Sequence, residues 1–356
     1  MTSQHRSDQI RDGKPLIASK PSVVEFNVIT KCSAGCIMCG YTDNGEVLSF
    51  GRFRRAADEL LPTAREALLI GGEVMQHPSF YEICEYVWRF GVKLGMTTNL
   101  YTLAGRRAEA VRRFLSIMRV SIDAATKRTY ESIRTNLDFE RLVGNLYDLV
   151  EVMNDNSNLE LNWYFVAMRR NIEELPLAVE MTHSFGFRAI TVNFVMVYPP
   201  LPMDESLILH RDPANKYFDQ ARERASELGI TIKLPHNFDL EHIPHLKPIP
   251  PTQDHILCER PWEHSRISLK GNVAPCCHLQ NVPMGNIYQE NFDQIWNGPK
   301  FQALRQSIKT RNREMPPRCR GCQLPAKQSD SNNLMLHIGV KHVSELQERL
   351  GLLAQE

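Results

Sequence analysis

Residues 23–39 read VVEFNVITKCSAGCIMC. The first seven, Val23–Ile29, are mostly apolar and β-branched, which predicts a strand. Three cysteines follow at once, Cys32, Cys36 and Cys39, with the spacing C-x3-C-x2-C. An α/β sheet presents its ligand-binding loops at the carboxyl ends of its strands. The stretch therefore predicts a strand that leads directly into a ligand-binding cysteine loop.

A β-then-α rhythm continues from this strand to about Pro235. The predicted strands are Val23–Ile29, Ala67–Ile70, Lys93–Thr97, Met118–Ile122, Leu159–Ala167 and Ala189–Val197. The predicted helices cover about 53–64, 79–90, 105–116, 127–153, 171–185 and 214–228. Such alternation indicates βαβ units and a parallel sheet. Six units are too few for a closed eight-fold barrel, so we predict an α/β fold with a partial (β/α)6 TIM-like barrel.

The chain beyond residue 235 predicts a small second domain. It contains a short hairpin, Ile267–Leu269 with Val273–Pro275, and a helix over Asn291–Ile308. The predicted boundaries are a loosely packed lead-in at 1–20, the partial barrel at 21–235, the second domain at 236–340 and a C-terminal helix at 341–356.

Composition excludes several classes of protein. Of the 356 residues, 42 are Lys or Arg and 41 are Asp or Glu. This balance argues against a protein that bulk charge holds on nucleic acid. No apolar run reaches the ~18 residues of a transmembrane helix. The polar N-terminus lacks the apolar core of a signal peptide, so we expect a cytoplasmic protein without membrane attachment.

Nine cysteines are present, and all except Cys84 lie in two regions of the sequence, 32–39 and 258–322. In a cytosolic chain, clustered cysteines indicate metal ligands or redox groups. The three thiolates of the first set can hold three irons of a [4Fe–4S] cluster and leave the fourth iron open for a non-protein ligand. Structural zinc normally takes four ligands, and no fourth Cys or His lies nearby in the sequence.

The second predicted strand ends in Gly71-Gly72-Glu73. Two glycines let the backbone approach a ligand, and a carboxylate accepts from an ammonium group. With the cysteine loop, this motif resembles the radical S-adenosylmethionine (radical SAM) superfamily over roughly residues 22–235. The resemblance implies that the open iron binds SAM, that Glu73 binds its amino group, and that one electron releases a hydrogen-abstracting 5′-deoxyadenosyl radical. The family usually has an aromatic residue before the third cysteine, where this chain has Met38; its backbone can still meet the adenine.

The other candidates for the SAM site are polar residues at or near the ends of later strands. They are Asn99, Ser121, Asp123, Arg134, Asn162 and Asn193. Ser121 and Arg134 can both donate to the SAM carboxylate. Asp123 alternatively caps the following helix. Asn162 and Asn193 face the ribose, the methionine or the substrate, or else make plain interior hydrogen bonds.

The second set consists of Cys258, Cys276, Cys319 and Cys322. Four thiolates can fully ligate a second [4Fe–4S] cluster, and a four-cysteine zinc site is the alternative. The pattern resembles the SPASM/twitch extension of radical SAM enzymes. Because no cysteine follows Cys322 to serve another cluster, it resembles the twitch form with one auxiliary cluster, as in aminocyclitol dehydrogenases.

Two cysteines are left over. Cys277 is a candidate hydrogen-atom donor to a substrate radical; the alternatives are a bystander and an alternative cluster ligand. Cys84 lies on the apolar face of a predicted helix and is expected in the core.

The resemblance implies hydrogen abstraction from a small polar substrate, a sugar, aminocyclitol or related natural-product intermediate. Net dehydrogenation or epimerisation follows, and flavodoxin or ferredoxin is the expected electron donor. Two alternatives remain, a peptide-modifying radical SAM maturase and a non-catalytic iron–sulfur or zinc scaffold. Only 31 residues precede Cys32, which favours a small molecule over a peptide.

Overall fold

The fold is built on one ten-stranded sheet. The structure is a computed structural model that describes residues 14–40, 43–156, 158–242, 244, 258–310, 314–320, 322, 331, 332, 334 and 337. The strands are β1 (Val23–Ile29), β2 (Glu66–Gly71), β3 (Lys93–Thr98), β4 (Ile117–Ser121), β5 (Glu160–Ala167), β6 (Ala189–Phe194), β7 (Thr231–Lys233), β8 (His264–Ile267), β9 (Asn272–Ala274) and β10 (Gly285–Asn286). The helices are α1 (Phe50–Leu60), α2 (Phe80–Trp88), α3 (Arg106–Phe114), α4 (Lys127–Ile133), α5 (Phe139–Asp155), α6 (Leu175–Ser184), α7 (Arg211–Leu228), α8 (Arg260–Glu263), α9 (Phe292–Trp296), α10 (Pro299–Thr310) and α11 (Pro317–Arg320).

Strands β1 to β7 lie side by side in chain order, and each is parallel to the next. Strand β8 pairs in parallel with the free side of β1, and β9 and β10 continue from it antiparallel. Within the described residues β7 pairs only with β6, so the sheet stays open. The predicted partial barrel is confirmed, and it gains a short seventh strand, Thr231–Lys233.

The two faces of the sheet differ in chemistry. In β1, Val24 and Phe26 are fully buried, and the Phe26 ring lies 5.1 Å from Phe53 of α1. The alternate residues, Glu25 and Asn27, are only half-buried on the other face. Because side chains alternate along a strand, the apolar residues lie under the helices and the polar residues line the concave face.

The predicted helix over 127–153 is wrong in one respect, because the structure divides it into α4 and α5. Between them Arg134 and Thr135 pair antiparallel with Gly35 and Cys36 of the cysteine loop. Asn136 then takes a positive φ of 69°, and the Asp138 side chain caps α5. The interruption places Arg134 beside a cysteine of the first set.

The predicted helix over 291–308 is likewise divided, into α9 and α10. Pro299 begins α10 directly after Gly298, and proline is compatible with the first turn of a helix but not with its interior. The predicted C-terminal helix, about 343–353, lies outside the described residues.

The prediction of a loosely packed lead-in is wrong for residues 14–20. Ile17 and Ser19 are buried. Trp262 Nε1 donates to the Lys14 carbonyl at 2.7 Å, and Trp296 Nε1 donates to the Ser19 carbonyl at 2.8 Å. This segment therefore packs against the second domain. Among the described residues, no helix combines the length and the apolar character that a membrane span requires.

Candidate active site

The first cysteine set lies on the loop that follows β1. The Gly35–Cys36 pairing with Arg134–Thr135 fixes the middle of this loop. A Cβ atom at Gly35 would lie 2.6 Å from Thr135 Oγ1, so a larger residue there would displace the Thr135 side chain. Cys32 and Cys36 are half-buried, and Cys39 is exposed. The loop thus presents three thiols at the carboxyl end of the barrel.

Two of these three sulfurs receive hydrogen bonds from the barrel. Asn99 Nδ2 lies 3.8 Å from Cys32 Sγ, and Arg134 Nη1 lies 3.7 Å from Cys36 Sγ. Hydrogen bonds and positive charge at cysteine sulfurs raise the reduction potential of iron–sulfur clusters. Asn99 and Arg134 thus lie beside two of the three candidate cluster ligands, next to the region where SAM is expected.

The thiols fit an iron cluster in their chemistry. Burial raises the pKa of Cys32 to about 11, and the neighbouring thiols add to this rise. Burial also raises the pKa of Cys36, which the Arg134 guanidinium opposes. Thiolates crowded in this way need positive charge between them, and cluster irons supply it.

The two glycines of the Gly71-Gly72-Glu73 motif serve the backbone of the cysteine loop. A Cβ at Gly71, whose φ is +146°, would lie 2.1 Å from the Ile29 carbonyl, and one at Gly72 would lie 2.4 Å from the Lys31 carbonyl. The Gly72 amide donates to the Ile29 carbonyl at 2.8 Å. Glycine is required here so that the end of β2 can approach the start of the cysteine loop.

Glu73 is fully buried and already has three donors. Oε1 accepts from Thr98 Oγ1 at 2.8 Å and from the Met75 amide at 3.2 Å, and Oε2 accepts from the Asn99 amide at 2.7 Å. Burial raises the pKa of this carboxyl, and the three donors oppose that rise. A carboxylate has about four acceptor positions, so one remains for a further donor, such as the ammonium group expected from the sequence.

Glu73→Gln is expected to destabilise the protein by about 1–3 kcal/mol, because the new amide group faces a buried donor at Thr98 or Asn99. Weaker SAM binding should accompany the loss. Denaturant unfolding and SAM titration measure the two effects. Glu82→Gln, at a surface ion pair with Arg106, is the matched control and should change stability by less than about 0.5 kcal/mol. Equal losses in both variants would contradict the buried role.

Asp123 and Arg134 form a buried ion pair. Arg134 Nη2 lies 2.6 Å from Asp123 Oδ2, and the two side chains are 7% and 1% exposed. Asp123 Oδ1 accepts from the Val166 amide at 2.7 Å. The alternative that Asp123 caps the next helix is wrong, because Thr126 caps α4. Arg134 Nε is buried without a partner among the described residues, so a donor remains for a ligand such as the SAM carboxylate.

Ser121, Asn162 and Asn193 lie on the concave face. Ser121 and Asn162 are half-buried, and Asn193 is exposed. None of the three side chains forms a hydrogen bond with another described residue, so the alternative of plain interior hydrogen bonds finds no support. Their polar groups are available to a ligand inside the barrel.

Tyr198, near the first cysteine set, was not predicted from the sequence. Tyr198 Oη donates to the Met38 carbonyl at 2.7 Å. A Cβ at Gly40 would lie 2.6 Å from Tyr198 Oη. Tyr198 therefore fixes the end of the loop that carries Cys39. It follows β6 beyond the end of any periodic pattern, so no sequence signal marked it.

The second cysteine set converges at the other end of the barrel. The thiol charges of Cys276, Cys258 and Cys322 all help to raise the pKa of Cys319 to about 12, with burial as the largest cause. No three sulfurs of the described cysteines lie within 4.8 Å of one another. A tetrahedral zinc ion would hold its thiolates about 3.8 Å apart, which is closer than this arrangement.

The surplus cysteines differ in their surroundings. Cys277 is exposed and begins a short 3₁₀ turn directly after Cys276. Cys84 is fully buried, as expected for a core residue. Burial and Arg260 lower the pKa of His264, at the start of β8, to about 4.

Sheet register separates the two cysteine sets. Cys32 follows the carboxyl end of β1, whereas His264, next to the second set, pairs with Val23 at its start. Continuing the antiparallel register of Arg266 with Ala274 places Cys276 opposite His264. Seven strand residues span about 20 Å, so the concave face lies between the two sets.

Comparison with known proteins agrees with this arrangement. Residues 258–323, which contain the whole second set, match the family model of SPASM, an iron-sulfur cluster-binding domain. The AdoMet-dependent heme synthase of Methanosarcina barkeri (strain Fusaro / DSM 804) is 24% identical over 344 residues, 87% of this chain and 93% of the synthase. The antilisterial bacteriocin subtilosin biosynthesis protein AlbA of Bacillus subtilis (strain 168) is 21% identical over 302 residues, 81% of this chain and 62% of AlbA.

Solved structures share the fold. Streptococcus suis SuiB superposes with a TM-score of 0.64 at 14% identity, over 85% of this chain and 71% of SuiB. SuiB has also been solved with S-adenosylmethionine and with its precursor peptide SuiA. The SPASM domain, the AdoMet-dependent relative that matches along nearly its whole length, and the two cysteine sets at opposite ends of a partial barrel together support a radical SAM enzyme of the SPASM/twitch type, which uses [4Fe–4S] clusters and S-adenosylmethionine.

Proposed function

We propose that this enzyme abstracts a hydrogen atom from a small polar molecule held on the concave face of the barrel, and that the outcome is dehydrogenation. The observation that carries the proposal is the polar face between the two cysteine sets. Its residues alternate with fully buried apolar ones, yet remain partly exposed. They include Asn27, Thr97, Ser121, Asn162, Tyr164, Thr191 and Asn193.

Cys32, Cys36 and Cys39 are the proposed ligands of the SAM-binding cluster, and Cys258, Cys276, Cys319 and Cys322 those of one auxiliary cluster. When bound, these groups supply the one-electron chemistry: a 5′-deoxyadenosyl radical from SAM, and an acceptor for the electron that the substrate radical loses. The substrate thereby gives up one hydrogen atom, one proton and one electron.

The protein's own residues orient and enclose this chemistry. Glu73 and Arg134 are proposed to hold the amino and carboxylate groups of SAM, and Met38 to meet the adenine. Asn99 and Arg134 donate to cluster sulfurs, and Asn162 and Asn193 present amides to the ribose or substrate. Reduced cysteine ligands fit a reducing compartment, so we place the enzyme in the cytoplasm with a flavodoxin or ferredoxin as electron donor.

Peptide modification is a second candidate. The relative AlbA takes part in subtilosin biosynthesis, and SuiB binds a precursor peptide. The heme synthase, whose name records a non-peptide product, matches this chain over a larger share of its own length. Epimerisation is the variant in which Cys277 returns a hydrogen atom to the substrate radical.

Deuterium transfer separates these functions. The reconstituted enzyme, reduced in the presence of SAM, is given an extract of its source cells grown in D₂O. We expect deuterium in 5′-deoxyadenosine from a low-mass, protease-resistant fraction. If protease treatment of the extract abolishes the deuterium transfer, the enzyme is a peptide maturase instead. If no 5′-deoxyadenosine forms under any condition, the protein is a non-catalytic scaffold.

A further inference from the structure

We propose that Asn145 on α5 is a positioning residue for the SAM-binding cluster. It holds Leu100 in a strained backbone conformation that turns the Asn99 amide toward Cys32 Sγ, and it thereby raises the reduction potential of the cluster. The proposal rests on the proposed function, because it takes Cys32 as a ligand of that cluster.

Leu100 has a backbone conformation that leucine rarely adopts. Its φ is 63°, in the left-handed region that favours glycine. A non-glycine residue persists there only where its surroundings hold it. The Leu100 side chain is fully buried, its amide donates to Thr98 Oγ1 at 2.9 Å, and its carbonyl accepts from Asn145 Nδ2 at 2.7 Å. Both peptide groups of this residue are therefore held by side chains.

The turn at Leu100 orients the Asn99 side chain. Asn99 Oδ1 accepts from the Tyr101 amide at 3.0 Å, so this side chain closes a turn around Leu100. With its oxygen engaged there, the same side chain directs Nδ2 to Cys32 Sγ, 3.8 Å away. If Leu100 relaxed to a negative φ, the Tyr101 amide would swing away from Asn99 Oδ1. The donor at the sulfur would then lose its orientation.

Helix α5 holds this turn at two points. Arg141 and Asn145 are four residues apart, so they lie on the same side of the helix. The Arg141 guanidinium lies over the Tyr101 ring, 4.2 Å from its centroid, and Asn145 reaches the Leu100 carbonyl. A cation in this position is attracted to the ring. The conformation of the turn therefore depends on α5 as well as on the end of β3.

The same helix begins next to the second sulfur donor. Residues 134–135 pair with the cysteine loop, and α5 begins four residues later, at Phe139. Arg134 Nη1 donates to Cys36 Sγ at 3.7 Å. Helix α5 therefore fixes both hydrogen bonds to the cluster sulfurs, one through the chain that leads into it and the other through Asn145. Such bonds raise the reduction potential of an iron–sulfur cluster.

Redox titration of the reconstituted enzyme, followed by electron paramagnetic resonance, tests the proposal. The signal that changes when SAM is added identifies the SAM-binding cluster. In Asn145→Leu, the ratio of reduced to oxidised cluster at the wild-type midpoint potential should fall about threefold, because the lost hydrogen bond stabilises the more negative, reduced cluster more than the oxidised one. An unchanged ratio would overturn the proposal. Asn145→Ala gives the same measurement if the leucine variant does not load its clusters.

Asn156→Leu is the matched control. Asn156 directly follows α5, and its Nδ2 donates to the Leu115 carbonyl at 3.0 Å. Its replacement therefore removes a bond of the same kind, but next to the amino end of β4, away from the cysteine loop. Both variants should unfold at a lower urea concentration than the wild type, whereas only Asn145→Leu should shift the potential. An equal shift in Asn156→Leu would assign the effect to the stability of α5.

Two further variants test the route of the effect. Asn99→Ala removes the donor itself and should lower the ratio at least as far as Asn145→Leu does. The double variant should lower it no further than Asn99→Ala alone, because residues that act through one contact are not additive. Leu100→Gly in the Asn145→Leu variant should recover most of the ratio, since glycine takes a positive φ without strain. Additive shifts, or no recovery with glycine, would overturn the route through Leu100.

Failure of the proposed function gives a different result. A wild-type enzyme that shows no signal responsive to SAM and forms no 5′-deoxyadenosine would lack the SAM-binding cluster altogether. A SAM-responsive signal that Asn145→Leu leaves unshifted would count against the positioning role alone.

Discussion

Cys276→Ala is expected to lower the iron content from about eight to about four atoms per chain, because a four-thiolate cluster that loses one ligand at a half-buried position is not retained. 5′-Deoxyadenosine should still form from SAM, since the first cysteine set lies at the other end of β1. Substrate oxidation should fall by at least about a hundredfold if the auxiliary cluster accepts the electron. Iron and sulfide analysis, with chromatography of the products, measures all three quantities.

Cys277→Ala is the matched control for iron content. Cys277 is adjacent in sequence but exposed, and its replacement should keep about eight irons. Loss of four irons in Cys277→Ala and not in Cys276→Ala would show that Cys277, and not Cys276, ligates the auxiliary cluster. About four irons with one zinc in the wild type would contradict the auxiliary cluster. The same control separates two outcomes of catalysis, because an epimerase that depends on Cys277 loses turnover whereas a dehydrogenase does not.

Local pattern predicts the barrel well because its strands are buried on one face along their whole length. In Val23–Ile29 the polar residues Glu25 and Asn27 alternate with buried apolar ones, and β1 has those bounds. The predicted strand Ala189–Val197 is too long at its end: β6 stops at Phe194, because the chain then turns and brings Tyr198 into contact with Met38. A contact between residues 160 positions apart leaves no periodic signal in either segment.

The candidate site shows the same division. The cysteine spacings and the Gly71-Gly72-Glu73 motif mark the site from sequence, because each is short and local. The reason for the glycines is not local, since they accommodate carbonyls of the preceding loop. Nor does sequence show that α4 ends at Ile133, because its helical pattern continues; the pairing of Arg134 with Cys36 overrides that propensity.

Asp123→Asn is expected to lower the free energy of unfolding by about 3 kcal/mol or more, because it leaves the buried Arg134 cation without its carboxylate. The variant side chain keeps an oxygen for the Val166 amide, so the loss reports on the charge. Urea unfolding of the iron-free and the iron-loaded protein measures it. Asp155→Asn, which breaks the exposed ion pair with Arg112 at 2.9 Å, is the matched control and should cost less than about 1 kcal/mol.

The size of the loss should depend on the cluster. Arg134 also lies 3.7 Å from Cys36 Sγ, so thiolates that ligate iron supply negative charge to the same guanidinium. We therefore expect Asp123→Asn to be more destabilising in the iron-free protein than in the loaded one, and Asp123→Asn with Arg134→Gln to recover part of the loss in the iron-free protein. An equal loss in both forms, with no recovery in the double variant, would show that packing at Asp123 matters and its charge does not. In the iron-loaded Asp123→Asn variant, the Arg134 guanidinium still contacts Cys36 Sγ but no longer a carboxylate. Its full positive charge then acts on the sulfur, so the reduction potential of the SAM-binding cluster should rise.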